Sequence, residues 1–167
     1  MRLVTGGLDA DAHVVGVDGH MPAGDGLWAI GDVTGKGPFT HMSMYQSAVA
    51  VRDILDRDGP AADYRAVPRV TFTDPEVGSV GMTEKQARDA GLSVRIGLAD
   101  LSASARGWIA KAEGLVKLVE DADLGGPVGA TAGGPSGGES LSPLTTAAHA
   151  PGPHAPPPAV PPPSPTT

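Results

Sequence analysis

The sequence contains no cysteine. That absence excludes structural disulfides, thiolate catalysis and every cysteine-based metal centre together. Aromatic residues make up only 4% of the chain, which leaves aliphatic and small side chains to build a core. Positive charge is scarce: 12 lysines and arginines stand against 19 aspartates and glutamates, for a net charge of −7. The basic residues are scattered singly from Arg2 to Lys117 and none follows. No patch neutralises a row of phosphates, so no nucleic-acid partner is expected. Long apolar runs are missing too, as is a basic start followed by an apolar segment, so no membrane association is expected and a cytoplasmic location is the default. The histidines His13, His20, His41, His149 and His154 show no ligand-like pairing with carboxylates, and no metal site is expected.

Glycine and proline are abundant instead, at 24 and 17 residues. The prolines crowd toward the end in "PGPHAPPPAVPPPSPTT", a stretch without charge for which polyproline II or disorder is expected. Residues 149–167 are therefore read as a disordered Pro-rich tail behind a folded body. The first 26 residues, with pieces such as "HVVGV", read as loop plus a brief strand or hairpin.

Between these ends the pattern alternates. "LWAI" reads as a short buried strand. From Phe39 to about Asp58 the residues Met44, Ala48, Val51 and Leu55 recur at helical spacing along one face, with Ser43, Ser47 and Ala50 on a small-residue flank. A linker, "RDGPAADYRA", precedes a β-rich part. There "VPRVTFT" and "EVGSVG" read as two strands around a proline turn. "TEKQARDAG" offers Thr83 as N-cap, Gln86 three residues on and Gly91 as a stop, which is a capping-box helix. "LSVRIGLADL", "GWIAKA" and "GLVKLVED" read as further strands, the last two as a hairpin, and "PVGATA" offers one more. "GGPSGGESLSPLTTAAHA" begins like a helix entered through a glycine loop, with Pro143 expected to kink or stop it.

The corner "LWAIGDVTGKGPFTHMSMYQSAVAV" has the most chemical content. An aspartate at the end of a buried strand, followed by a glycine-rich turn and a helix start, sets an acceptor for ligand hydroxyls beside free backbone N–H groups and the positive end of a helix. A polyhydroxylated, negatively charged ligand fits such a corner.

"LWAIGDVTG", followed by "FTHMSMYQSAVAV" and then by "VPRVTFTDPEVGSVGMTEKQA", is similar to the C-terminal portion of the pyridine nucleotide-disulfide oxidoreductases, over about Gly26 to Glu139. The resemblance implies an α+β chain: the C-terminal part of an FAD-binding α/β domain (residues 1–60), then an antiparallel-sheet dimerisation domain (residues 67–148), then the tail. It implies FAD as cofactor, with Gly31 and Asp32 at the flavin ribityl chain and the backbone N–H groups of Thr40 and His41 at the flavin pyrimidine edge; the site is incomplete without the family's dinucleotide fold, and FAD binding by this chain alone is not expected. "GPSGGES" lacks the lysine and hydroxyl ending of a phosphate loop and resembles the glycine turn into an interface helix. The implied partner is a second copy in a homodimer, or the remainder of a split oxidoreductase.

The departures are equally specific. A complete member of the family has a "GxGxxG" dinucleotide fold for FAD, a redox-active cysteine pair and a second dinucleotide fold for NAD(P)H, none of which is in this sequence. In place of the family's terminal His-Glu couple stands the proline-rich stretch. His149 aligns with the interface helix and His154 has no downstream carboxylate, so no catalytic residue is assigned. The expectation is a fragment of a flavin-dependent oxidoreductase that is not catalytic alone. The alternatives are a non-catalytic dimerising interaction module and a truncated product without function.

Overall fold

The computed structural model describes residues 12–150 and residue 152. The expectations for most of the tail, and for the chain before residue 12, lie outside them. The chain divides into two compact units, one ending at Tyr64 and the other starting at Arg65.

The first unit is built on one long helix. A small antiparallel hairpin, β1 (Pro22–Gly24) with β2 (Leu27–Trp28), leads into a 3-10 turn (Gly31–Thr34) and then α1 (Thr40–Ile54). The buried core is Met21, Val49 and Ala50, with Val17, Trp28, Ala62 and Tyr64 packed against it. Three expectations are corrected here. The "LWAI" strand is only two residues long and half-buried, and Ile30 is exposed, because its only partner is the three-residue β1. "HVVGV" forms no strand, the brief strand of the first 26 residues being β1 instead; Val15 is buried and donates its N–H to the Val33 carbonyl at 2.8 Å. The helix is present, but its apolar face is misphased: Met42, Gln46, Val49 and Ala50 are buried, whereas Met44 is 70% exposed and Val51 and Leu55 are also exposed. A fully buried glutamine at position 46 is invisible to hydrophobic periodicity, and it rotates the packed face of the helix.

The stretch read as a linker is tied down as well. The Tyr45 hydroxyl accepts the Asp63 N–H at 2.8 Å, Arg52 donates to the Pro60 carbonyl at 3.0 Å and the Ala62 N–H donates to the Gly19 carbonyl at 2.7 Å. Residues 60–64 are thus a strap across α1, anchored by Tyr64 in the core.

The second unit is a five-stranded antiparallel sheet with helices, an α+β arrangement. β3 (Pro68–Thr71), β4 (Glu76–Gly81), α2 (Glu84–Asp89), β5 (Val94–Asp100), α3 (Ala105–Ala110), β6 (Leu115–Asp121), β7 (Gly126–Gly134) and α4 (Leu141–His149) follow in order. The strands lie in the order β3-β4-β7-β6-β5, so the last strand among the described residues sits at the centre. β3 and β4 flank the expected proline turn and pair with Val70 opposite Gly78. α2 starts with the expected capping box: the Thr83 hydroxyl accepts the Gln86 N–H at 3.2 Å, and the Gln86 side chain accepts the Thr83 N–H at 2.9 Å. α4 packs on β4 and β7 through Leu141, which joins Ala66, Val80 and Ala130 in a second core, with Val70, Leu144 and Ala148 against it.

Two expectations fail in this unit. "GWIAKA" is helical, not a strand of a hairpin: Ser104 caps α3 by accepting the Gly107 N–H at 3.0 Å, and β6 pairs with β5 and β7 instead. Pro143 neither kinks nor stops α4. It is the third residue of the helix, and first-turn N–H groups have no intrahelical acceptor, so proline removes nothing there. "PVGATA" lies within β7, the longest strand at nine residues.

Candidate functional site

The turn Gly31–Thr34 is fixed to α1 by a buried polar network. Gln46, with no accessible surface, accepts the Gly31 N–H at 2.6 Å through its carbonyl oxygen. Its amide nitrogen donates to the Thr34 hydroxyl at 3.3 Å and to the Tyr64 hydroxyl at 3.1 Å. The Thr34 hydroxyl in turn donates to the Gly31 carbonyl at 2.8 Å, and the Tyr64 hydroxyl to the Met21 sulfur at 3.6 Å. Gly31 is required by conformation and by space: its φ is +79°, and a Cβ there would stand 2.8 Å from the Ser43 hydroxyl. The small residue at position 43 is what allows the turn to lie so close to the helix.

This scaffold leaves the Asp32 side chain exposed, with no hydrogen-bond partner among the described residues, and its backbone carbonyl closes the turn by accepting the Gly35 N–H at 3.0 Å. α1 begins with Phe39 at the N-cap position and no side-chain cap. The Phe39 carbonyl accepts the N–H groups of Met42 and Ser43, so those of Thr40 and His41 are the first-turn donors open to an outside acceptor. Both residues are exposed, and the His41 ring stacks on Phe39 at 5.3 Å between centroids. Of the four residues singled out in the sequence, Gly31 is the buried hinge and Asp32, Thr40 and His41 are exposed. Gln46, Thr34 and Tyr64 were not singled out. Nothing in a periodicity argument points to them, although a glutamine fifteen residues after a Gly-Asp turn was the signal available.

Elsewhere, a cavity of about 580 Å³ in the second unit is lined by small residues such as Gly107, Ala132, Gly134 and Ser136. Glu84 receives hydrogen bonds from Lys117 at 2.6 Å and from Arg88 at 2.8 Å and 3.0 Å. Those bonds, Lys117 foremost, hold its carboxyl below the ordinary value, against slight desolvation. Among the described residues there is no cluster of side chains able to hold a metal ion, and no helix is long and apolar enough to cross a membrane.

Residues 67–155 match the family model described as the pyridine nucleotide-disulphide oxidoreductase dimerisation domain. The dihydrolipoyl dehydrogenase of Mycobacterium leprae is 39% identical over 143 residues, covering 84% of this chain and 30% of that protein. Dihydrolipoyl dehydrogenase 2 of Haloarcula marismortui is 38% identical over 122 residues, 72% of this chain and 25% of its own length. Among solved structures, LpdA from Mycobacterium tuberculosis superposes with a TM-score of 0.72 at 25% identity, covering 81% of this chain and 30% of that one. The HOCl-induced flavoprotein disulfide reductase RclA of Escherichia coli gives 0.68 at 27% identity, covering 83% and 32%. The chain thus spans about a third or less of the length of these relatives. By its dimerisation domain, its sequence and its fold, the chain belongs to the pyridine nucleotide-disulfide oxidoreductase family.

Proposed function

We propose that this chain supplies the dimerisation domain (residues 67–148) and the flavin-contacting end of the FAD domain (residues 1–60) of an FAD-dependent, NAD(P)H-linked disulfide reductase, and that it does not run the reaction alone. The observation that carries this reading is the Gln46-braced turn, which presents the Asp32 carboxylate on the unit that also carries the uncapped start of α1. These groups suit the cofactor. A carboxylate accepts ribityl hydroxyl protons, and first-turn N–H groups with the helix dipole favour negative charge at the pyrimidine edge. When bound, FAD supplies the acceptor for a hydride from NAD(P)H. What this chain contributes is binding and orientation: Asp32 fixes the ribityl chain and the Thr40 and His41 amides face the ring edge.

Electron transfer onward to a disulfide needs a thiol pair, and none of the 167 residues is a cysteine. The thiols and the nicotinamide site therefore come from outside this sequence, in a homodimer's wider assembly or from the remaining part of a split reductase. The cytoplasm, where reduced nicotinamide cofactors are held, is the compartment that fits this chemistry.

Titration with FAD and with lumiflavin, which has no ribityl hydroxyls, tests the site once the chain is assembled with the part of the reductase that carries the dinucleotide fold. Asp32→Ala is expected to weaken FAD binding by about tenfold or more, the scale of one hydrogen bond to a charged group, and to leave lumiflavin binding unchanged. Equal FAD binding by both proteins overturns the Asp32 assignment. Steady NAD(P)H-dependent reduction of lipoamide by the isolated chain overturns the claim that it is not catalytic alone.

A further inference from the structure

The cavity of about 580 Å³ in the second unit lies where α3 and the end of β7 meet the loop into α4. Its walls cannot close in. A Cβ at Gly107 would strike the Leu101 carbonyl oxygen, and one at Gly137 would stand 2.6 Å from the Glu76 carbonyl oxygen; both glycines hold backbone against backbone. Gly133 is different. Its φ lies outside the left-handed region, and an added Cβ would meet nothing within 4 Å. It stands within β7, paired with Val77 of β4 on one side and with Leu115 of β6 on the other. A glycine inside a strand weakens it, and recurs where another backbone or a ligand approaches closely. Both in-plane neighbours of Gly133 are already backbones of its own sheet, so the space left open is on the face of the sheet, and that space is the cavity.

The lining sets the chemistry of what fits. No charged side chain lines the cavity, in a chain of net charge −7, so an ionised ligand would lose its hydration there with no counter-charge in return. Leu101 and Ala110 offer apolar contact. Of the hydroxyls, Ser104 is satisfied internally, accepting the Gly107 N–H and donating to the Leu101 carbonyl. The half-buried Ser140 also lines the cavity and makes no capping bond to its own helix, so its hydroxyl is open to an acceptor. The volume lies inside the range of about 300–1,000 Å³ usual for small-molecule sites, which pair apolar walls with a few placed polar groups. We propose that this cavity binds an uncharged small molecule, its apolar body over Gly133 and a hydrogen-bond acceptor such as a carbonyl oxygen at the Ser140 hydroxyl. The site lies wholly in the second unit and does not depend on the flavin reading.

The test uses 1-indanone, an uncharged ketone, and indane, the same ring system without the acceptor. In amide NMR spectra of the full chain, millimolar 1-indanone should shift the Gly133, Gly134 and Gly137 signals in a saturable way. Gly133→Leu, whose side chain fills the open space, should weaken 1-indanone binding by about tenfold or more. Ser140→Ala should weaken it by about fivefold, the scale of one hydrogen bond, and leave indane binding unchanged. Absence of shifts in the parent, or equal 1-indanone binding by Gly133→Leu and the parent, overturns the proposal. Equal 1-indanone binding by Ser140→Ala overturns the hydroxyl contact. Failure of Gly133→Leu to fold would show that the space over Gly133 is not open, and overturns the site as well. A concentration series separates the remaining occupant: shifts that vanish as the chain self-associates assign the space to a second copy, against the proposal.

Discussion

The side-chain carbonyl of Gln46 accepts the Gly31 N–H at 2.6 Å inside the first unit, with no accessible surface on the glutamine. That bond joins the turn Gly31–Thr34 to the middle of α1, and the amide nitrogen of Gln46 donates to Thr34 and Tyr64. Gln46→Leu keeps the volume and removes every partner. The buried Gly31 N–H is left unpaired, while the Thr34 and Tyr64 hydroxyls lose a donor but keep the Gly31 carbonyl and the Met21 sulfur as acceptors, a loss of about 1–3 kcal/mol. Urea unfolding in a Trp108→Phe background checks this, because fluorescence then reports Trp28, whose indole N–H donates to Asp53 at 2.6 Å in the same unit.

Gly31→Ala meets two penalties, the positive φ of +79° and the Ser43 hydroxyl 2.8 Å from the new methyl. A destabilisation of about 1–3 kcal/mol is expected. Adding Ser43→Gly should recover the steric part and leave the backbone part, so the double variant should fall between Gly31→Ala and the parent in urea midpoint.

Pro143→Ala is expected to change the melting temperature little, within about 0.5 kcal/mol of stability, because residue 143 lies in the first turn of α4. Thr146→Pro, one turn on, removes an intrahelical bond and should cost about 3 kcal/mol or more. A large gain from Pro143→Ala would show that the first turn is strained.

Glu84 is held below its ordinary pKa by Lys117 and Arg88. A carboxyl with a lowered folded pKa adds stability that is fully present above the unfolded value of about 4.5 and is lost as pH falls through the lower folded value. Glu84→Gln should therefore lower stability slightly at neutral pH, where these screened surface pairs contribute little, and leave it unchanged below the folded value, which flattens the acid limb of the profile. Chemical-shift titration of Glu84 at low and high salt should show the depression shrinking with salt.

The sequence disclosed those elements whose local chemistry dominates. Thr83 and Gln86 cap each other whatever lies around them, and β3 and β4 flank a proline turn. It misled where packing decides. The stripe Met44, Val51 and Leu55 has helical spacing yet is exposed, because Gln46 and the strap through Tyr64 claim the opposite face. Six residues of "GWIAKA" were too few to tell a strand from a helix, and the deciding signal, Ser104 as a cap, lies just upstream. The central strand β7 was seen only in part, since its glycines hide a periodicity that close packing requires: a Cβ at Gly129 would collide with the Met82 backbone.

Exposed apolar residues of the second unit, Phe72, Leu98, Trp108 and Ile109 among them, each at 65% or more, are what a dimerising domain leaves in water when alone. Stable interfaces of this kind bury about 2,000 Å² or more. Sedimentation velocity of the full 167-residue chain across the micromolar range is the most direct measurement of this role. A shift from monomer to dimer with rising concentration is expected; a single well-behaved monomer throughout that range would contradict it.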